Sequence, residues 1–191
     1  MKNRLAKILL LVIVAMLAHS VCFAKDPYKP AEVSLTPKAG YVFHLKQDVG
    51  NTTIEHRHAP VLMLGLDIGG GGWVWQIAPT YSYLKGCETL GGVHAVSLYS
   101  GLVYKYHFKG IYLYTGGGFR GGYLFGSNFD RAFELYLRVP LGFLWYFMED
   151  VGFFFEIAPM YGVLGLKGNN LPDIKLGSGF AIDGVLGIQF P

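Results

Sequence analysis

The sequence has little charge, few cysteines and no long hydrophobic run. Only 15% of its 191 residues are charged, while 16% are aromatic. That balance excludes a disordered chain, which would be charge-rich and poor in aromatics. The 27 glycines follow no three-residue period, so a collagen-like chain is excluded as well. The one apolar run, Ile8 to Ala18, is about 11 residues long, against the ~20 a spanning helix needs. Transmembrane helices therefore cannot explain why 52% of the chain is hydrophobic with a mean hydropathy of +0.34.

The short apolar run has a different reading. Lys2, Arg4 and Lys7 precede it, and Cys22-Phe23-Ala24 offers a small-x-small cleavage site. Residues 1–24 are expected to be a cleaved signal peptide, with the mature chain starting at Lys25. A lipoprotein would place an apolar residue, usually Leu, where His19 stands. Removal of Cys22 leaves Cys87 alone, so no intramolecular disulfide is expected. The net charge of +3 mostly reflects the leader's basic residues. A near-neutral mature chain implies no nucleic-acid partner.

What the mature chain does have is alternation. From Glu32 onward, apolar residues recur every second position in eight successive runs, which is strand periodicity. The first run sets Val33, Leu35, Ala39, Tyr41, Phe43 and Leu45 against Ser34, Thr36, Lys38, Gly40 and His44. The same division holds near 60–68, 73–84, 94–106, 110–125, 132–147, 151–163 and 179–190. Every Asp, Glu, Lys and Arg within a run falls on the second face. One face is thus continuously apolar and aromatic, the other small and polar. Runs of 10 or more residues match the ~9–11 that cross a bilayer with tilt. The expected fold is all-β: an eight-stranded antiparallel up-and-down transmembrane β-barrel over residues 25–191, lipid outside and polar side chains inside.

The connections alternate. Gly69 to Gly72, His107 to Gly110 and Met148 to Asp150 are short, whereas 46–57, 85–92, 126–131 and 165–177 are expected to be longer loops. Short periplasmic turns and longer external loops have this asymmetry, and an even strand count puts both termini in the periplasm. Trp73, Trp75, Tyr104, Tyr106, Trp145 and Phe147 lie beside the short turns and read as the periplasmic aromatic girdle. Tyr81, Tyr83, Tyr123, Phe125, Phe133 and Tyr161 would form the external one. Pro79 and Pro159 interrupt strands in matching pentapeptides, Ile77 to Tyr81 and Ile157 to Tyr161, four strands apart. Duplication of a four-strand unit would explain the match, and a β-bulge is expected at each proline.

With its strands, loops and ending placed, the chain resembles the small eight-stranded outer-membrane barrels, the OmpA-like transmembrane domain and its OmpX-like relatives. The resemblance covers Lys25 to Pro191. It rests on the glycine-rich Tyr114-Thr115-Gly116-Gly117-Gly118-Phe119-Arg120-Gly121-Gly122-Tyr123 and on the closing Gly184-Val185-Leu186-Gly187-Ile188-Gln189-Phe190. The alternating ending with a final aromatic is similar to the family's signal for the outer-membrane assembly machinery, although here Pro191 follows Phe190. The resemblance implies location in the outer membrane of a Gram-negative-type bacterium and an interior plugged by salt bridges.

An eight-stranded barrel is just wide enough for its own side chains to fill it. The inward charges are Glu32, Lys38, Asp67, Lys105, Arg120, Glu134, Arg138, Glu156 and Asp183. Buried charges persist when they are paired. Counting from strand ends puts Lys38 and Asp183 at similar heights with Asp67 close by. The expected groups are therefore Lys38–Asp67–Asp183, and Arg120–Glu134–Arg138 with Glu156 nearby.

No chemistry beyond this plug stands out. Lipid A deacylases of similar size use a His-x-Ser pair on one strand face. His94-Ala95-Val96-Ser97 has the wrong spacing, because its His and Ser face opposite sides. No catalytic residue, cofactor or metal is assigned. His44, His56 and His58 gather around the first external loop and read as a solvated basic tip touching lipopolysaccharide phosphates rather than as metal ligands. Gly69 to Gly72 reads as a tight turn rather than a phosphate cradle. The expected function is that of a structural or surface-interaction barrel whose partners are outer-membrane lipids and lipopolysaccharide. A narrow small-solute channel or lipid-binding barrel is the alternative, and a lipid A-modifying enzyme the third reading.

Overall fold

A computed structural model describes residues 32–49, 52–70, 72–85, 92–108, 111–126, 129–148, 151–167 and 173–190. The expected signal peptide and Cys87 lie outside the described residues. The strands are β1 (Glu32–Val49), β2 (Thr52–Gly70), β3 (Trp73–Leu84), β4 (Val93–Phe108), β5 (Ile111–Gly126), β6 (Phe129–Arg138), β7 (Leu141–Met148), β8 (Val151–Lys167) and β9 (Asp173–Gln189). All pairings are antiparallel; successive strands pair from β1 to β6 and from β7 to β9, and β1 pairs with β9. The sheet therefore closes on itself and has no free edge. At the seam, Leu35 and Phe190 exchange two backbone hydrogen bonds of 2.8 Å.

Nine strands make eight courses, because β6 and β7 are one interrupted course. Both pair with β5 and both pair with β8, in an unchanged register on either side of the break. Two prolines cause the interruption. Pro140 has no N–H to offer toward β5, and Pro159 of β8 has none to return to Val139, whose own N–H donates to the Pro159 carbonyl at 3.1 Å.

The bulges expected at Pro79 and Pro159 are not there. Pro79 leaves a gap in the β2–β3 ladder between Met63 and Leu66, with the register intact. Pro159 stands in register with Ile182. A proline that only lacks a donor subtracts one rung and needs no extra residue. Register shifts fall elsewhere, and Val163 is skipped in the pairing of β8 with both β6 and β9. The two matching pentapeptides are placed alike: Ala78 and Ala158 are fully buried, whereas Tyr81 and Tyr161 are exposed.

Three expected loops are mostly strand, and in the last, 165–177, β8 and β9 pair as far as Lys167–Asp173. Residues 46–57 run on as β1 and β2 up to the pair Val49–Thr52, and β5 pairs with β6 as far as Gly126–Phe129. Short-range polarity marked these segments as loops, but their backbones extend the ladder beyond the apolar alternation.

The alternation itself sorts the side chains. Val33, Leu62, Trp75, Val96, Phe119, Trp145 and Leu186 are among the many large apolar residues on the exposed outer face. Such a sleeve is far larger than the apolar patches of water-soluble monomers and suits an apolar solvent. The inner face holds Tyr99, Tyr114, Tyr136, Leu144, Phe154 and Met160 beside the polar groups. Glycines make room for these rings. A Cβ on Gly118 would meet the Tyr99 ring at 2.8 Å as well as the β4 backbone, and one on Gly142 would strike Tyr114.

Candidate functional site

The barrel brings inward-facing charges from distant strands into one connected group. At its centre, Arg138 of β6 holds Asp183 of β9 with two hydrogen bonds, Nε to Oδ2 and Nη2 to Oδ1, each 3.0 Å. Its Nη2 also donates to Glu156 Oε1 of β8. The other oxygen of Glu156 accepts from Lys38 Nζ at 3.3 Å and from the Tyr114 hydroxyl at 2.7 Å. Asp183 Oδ2 in turn receives Arg120 Nη1 of β5 at 3.4 Å, and Arg120 Nε donates to Ser97 Oγ at 2.8 Å. A continuous path therefore runs Ser97–Arg120–Asp183–Arg138–Glu156–Lys38. It touches six of the eight courses, and the side chains of Lys38, Arg138, Glu156 and Asp183 are fully buried.

Aromatic faces complete the desolvated environment. Lys38 Nζ stands 4.0 Å from the Phe154 ring centre, and the Arg138 guanidinium 4.7 Å from that of Tyr99. Cations in such positions gain from the ring quadrupole, most strongly where water is excluded. The bidentate Arg138–Asp183 pair fixes geometry as well as charge.

The grouping differs from the one expected. Lys38 meets Glu156, not Asp67 or Asp183. The seam register explains this: Asp183 stands opposite Val42, four residues along β1 from Lys38, and Asp67 stands opposite Ser34. Counting from strand ends ignored the stagger that barrel closure imposes. Asp67 forms its own group near the terminal end, with Lys105 Nζ at 3.0 Å and Gln76 Nε2 at 3.0 Å. Gln189 donates to Ser34 in the same layer. Glu134 accepts from the Tyr136 hydroxyl at 3.0 Å, whereas Arg138 turns away from it toward Asp183. The side chain of Glu32 lies outside the described residues.

Tyr114, Tyr99, Ser97, Gln76 and Gln189 were missed as members of the network. Their signal is present in the alternation, which puts all five on the inward face, but an uncharged polar side chain carries no mark that it joins an ion-pair network.

Above the ion pairs, toward the β1–β2 hairpin end, lies a cavity of about 60 Å³. His44, Ser82, Ser97, Arg120, Glu134 and Tyr136 contribute its polar lining, and Met160 its floor. Arg120, which lines it, also reaches Asp183.

The aromatic residues beside the short turns fall on the outer face with one departure. Trp75, Tyr106, Trp145 and Phe147 are exposed, and Trp75 Nε1 donates to Ser100 Oγ at 3.1 Å. Trp73 is half-buried against Tyr104, ring edge to face at 5.1 Å. Tyr104 is only 7% exposed. Gly72, at φ 86°, turns the β2–β3 connection over it and accepts a 2.7 Å hydrogen bond from Lys105 N. Only a residue at ease with positive φ and without a Cβ can sit against that ring.

The histidines do not converge. His44 stands opposite Arg57 on the inner side, and His58, opposite Phe43, is exposed outside. The side chain of His56 lies outside the described residues. His94 faces outward beside Tyr81, whereas Ser97 faces inward to Arg120, so the two do not form a catalytic pair.

No family model matches the sequence, and neither does any curated protein. Solved structures match by shape. Neisserial surface protein A (NspA) superimposes with a TM-score of 0.61 at 11% identity, covering 85% of this chain and 99% of that one. The outer membrane protein OprG from Pseudomonas aeruginosa superimposes with a TM-score of 0.50 at 16% identity, covering 83% and 95%. Closed register, outward apolar sleeve and these superpositions agree on one architecture: the chain has the fold of the eight-stranded outer-membrane β-barrels.

Proposed function

We propose that this protein is an outer-membrane barrel of a Gram-negative-type bacterium with a closed lumen, acting as a structural and surface-interaction protein. Residues 25–191 form the mature barrel, both termini face the periplasm, and the assembly machinery reads the C-terminal strand. Its partners are the lipids and lipopolysaccharide around the sleeve. The observation that carries this reading is the chain of charged contacts from Ser97 to Lys38, which crosses the lumen. Breaking it would leave charges buried without partners, at a cost of several kcal/mol for each. Ser97 and Arg120, two members of that chain, also line the cavity above it, which argues against a narrow channel. A lipid A-modifying activity has no support in the placement of His94 and Ser97 on opposite faces.

Planar-bilayer recording with the purified full-length mature protein tests the proposal. Insertion without steady unit conductance is the expected result. A reproducible ohmic conductance, removed by neither repurification nor a change of lipid, would overturn the closed-lumen reading in favour of the channel.

A further inference from the structure

The outer face of the strands is apolar along nearly its whole height, and its few groups able to carry positive charge are confined to one end. Among the described residues they are Lys85, His58 and His94. All three sit toward the end of the barrel away from the β1–β9 seam contact of Leu35 with Phe190. No outward carboxylate accompanies them among the described side chains. A charge-bearing group at the lipid boundary is stable at the headgroup level and costly below it.

His94 is held in a defined orientation. It stands abreast of Tyr83 on one side and Phe125 on the other. Its ring lies 4.8 Å from Tyr83 and 5.4 Å from Phe125, stacked on the latter at 17°. The Tyr81 hydroxyl engages Nδ1 at 2.7 Å. With Tyr81 as donor, the remaining proton sits on Nε2, which becomes the donor for an outside acceptor. Lys85 is exposed and follows Tyr83 by two residues, about 7 Å along the same face. Its stem is long and flexible enough for the ammonium to reach back over that distance.

We propose that Lys85 and His94, above the aromatic floor of Tyr81, Tyr83 and Phe125, bind the phosphate of a membrane lipid headgroup. The two nitrogens supply N–H donors of different reach for the phosphate oxygens. The rings supply a flat surface for the first carbons of the lipid. The site deepens the proposed function by giving the lipid partner a chemical class and a place on the barrel, and it rests on the outer-membrane reading.

The test is native mass spectrometry of the full-length mature protein, released from detergent with phosphatidic acid, with diacylglycerol or with inorganic phosphate alone. Lys85→Gln/His94→Phe removes both donors and keeps the aromatic stack, and a heat-modifiability gel verifies that it folds. The expected result is retention of phosphatidic acid by the native protein, weakened about tenfold in the double variant, with little retention of diacylglycerol. Equal affinity of the folded variant for phosphatidic acid would overturn the site. Equal retention of diacylglycerol would show that acyl chains, not phosphate, are held. Retention of inorganic phosphate alone would assign the site to the free ion. Reconstitution into phosphatidylethanolamine–phosphatidylglycerol vesicles separates the two claims: failure to insert refutes the membrane reading itself, whereas insertion with unaltered lipid binding refutes only this site.

Discussion

Glu156→Gln is the most direct probe of the lumen. The substitution keeps the shape of the side chain and removes its charge. In the native protein that carboxylate accepts from Arg138, from Lys38 at 3.3 Å and from Tyr114 at 2.7 Å, and it is fully buried. The neutral amide leaves Lys38 with no anion in contact and Arg138 with Asp183 alone. It also sets an NH₂ group against one of these donors. Removal of one partner from a buried ion pair costs about 3–5 kcal/mol, because the partner's desolvation is no longer offset. The fully buried Lys38 puts the expected loss at the upper part of that range. Urea unfolding in lipid vesicles, followed by tryptophan fluorescence, measures it. Adding Lys38→Met should then cost less in the Glu156→Gln background than in the native one, a coupling of about 1–3 kcal/mol. A loss under about 1 kcal/mol with additive single variants would refute the claim that these contacts hold the lumen closed.

Asp67→Asn should cost less, about 1–2 kcal/mol, because Lys105 retains some contact with solvent and can rehydrate; an equal or larger loss than Glu156→Gln in the same assay would contradict this ranking. Gly118→Val should drive the Tyr99 ring off Arg138 and reduce the fraction of folded barrel in a heat-modifiability gel, whereas the outward Phe119→Leu should leave it unchanged. Pro159→Ala supplies the missing donor opposite Val139, so amide exchange should find a new protected N–H at residue 159; rapid exchange there would show that the break has another cause. Tyr104→Ala should destabilise more than Tyr106→Ala, since the first ring is covered by the Gly72 turn and the second is open to the surroundings; comparison of their urea midpoints decides it.

The sheet was legible because its signal is local. Each residue's side depends only on its parity within a strand, and one apolar solvent outside enforces that parity over the whole height. The inward position of Lys38, Arg120, Arg138, Glu156 and Asp183 follows from it directly. Which of these groups meet was not legible, because that depends on the stagger between β1 and β9, and no local pattern records a stagger. Asp183 is level with Val42, four residues along β1 from Lys38, whereas Glu156 is level with Val185 and Gly40, only two residues away. Tyr104 shows the same limit: its parity marks it as outward, but a glycine turn contributed by another strand pair covers it.

The distribution of lumen charge along the chain has a consequence for assembly. Through β5 the inward groups with described side chains are Lys38, Asp67, Lys105 and Arg120, a net +2; from β6 onward they are Glu134, Arg138, Glu156 and Asp183, a net −2. Neither half is neutral by itself. The partners in the central pairs lie 118, 63 and 45 residues apart. Among these described groups, a half-built sheet leaves charge uncompensated along its concave face until the second half supplies the partners. Among these described groups the two imbalances cancel only on closure, so their balance is a property of the finished barrel and of no fragment of it.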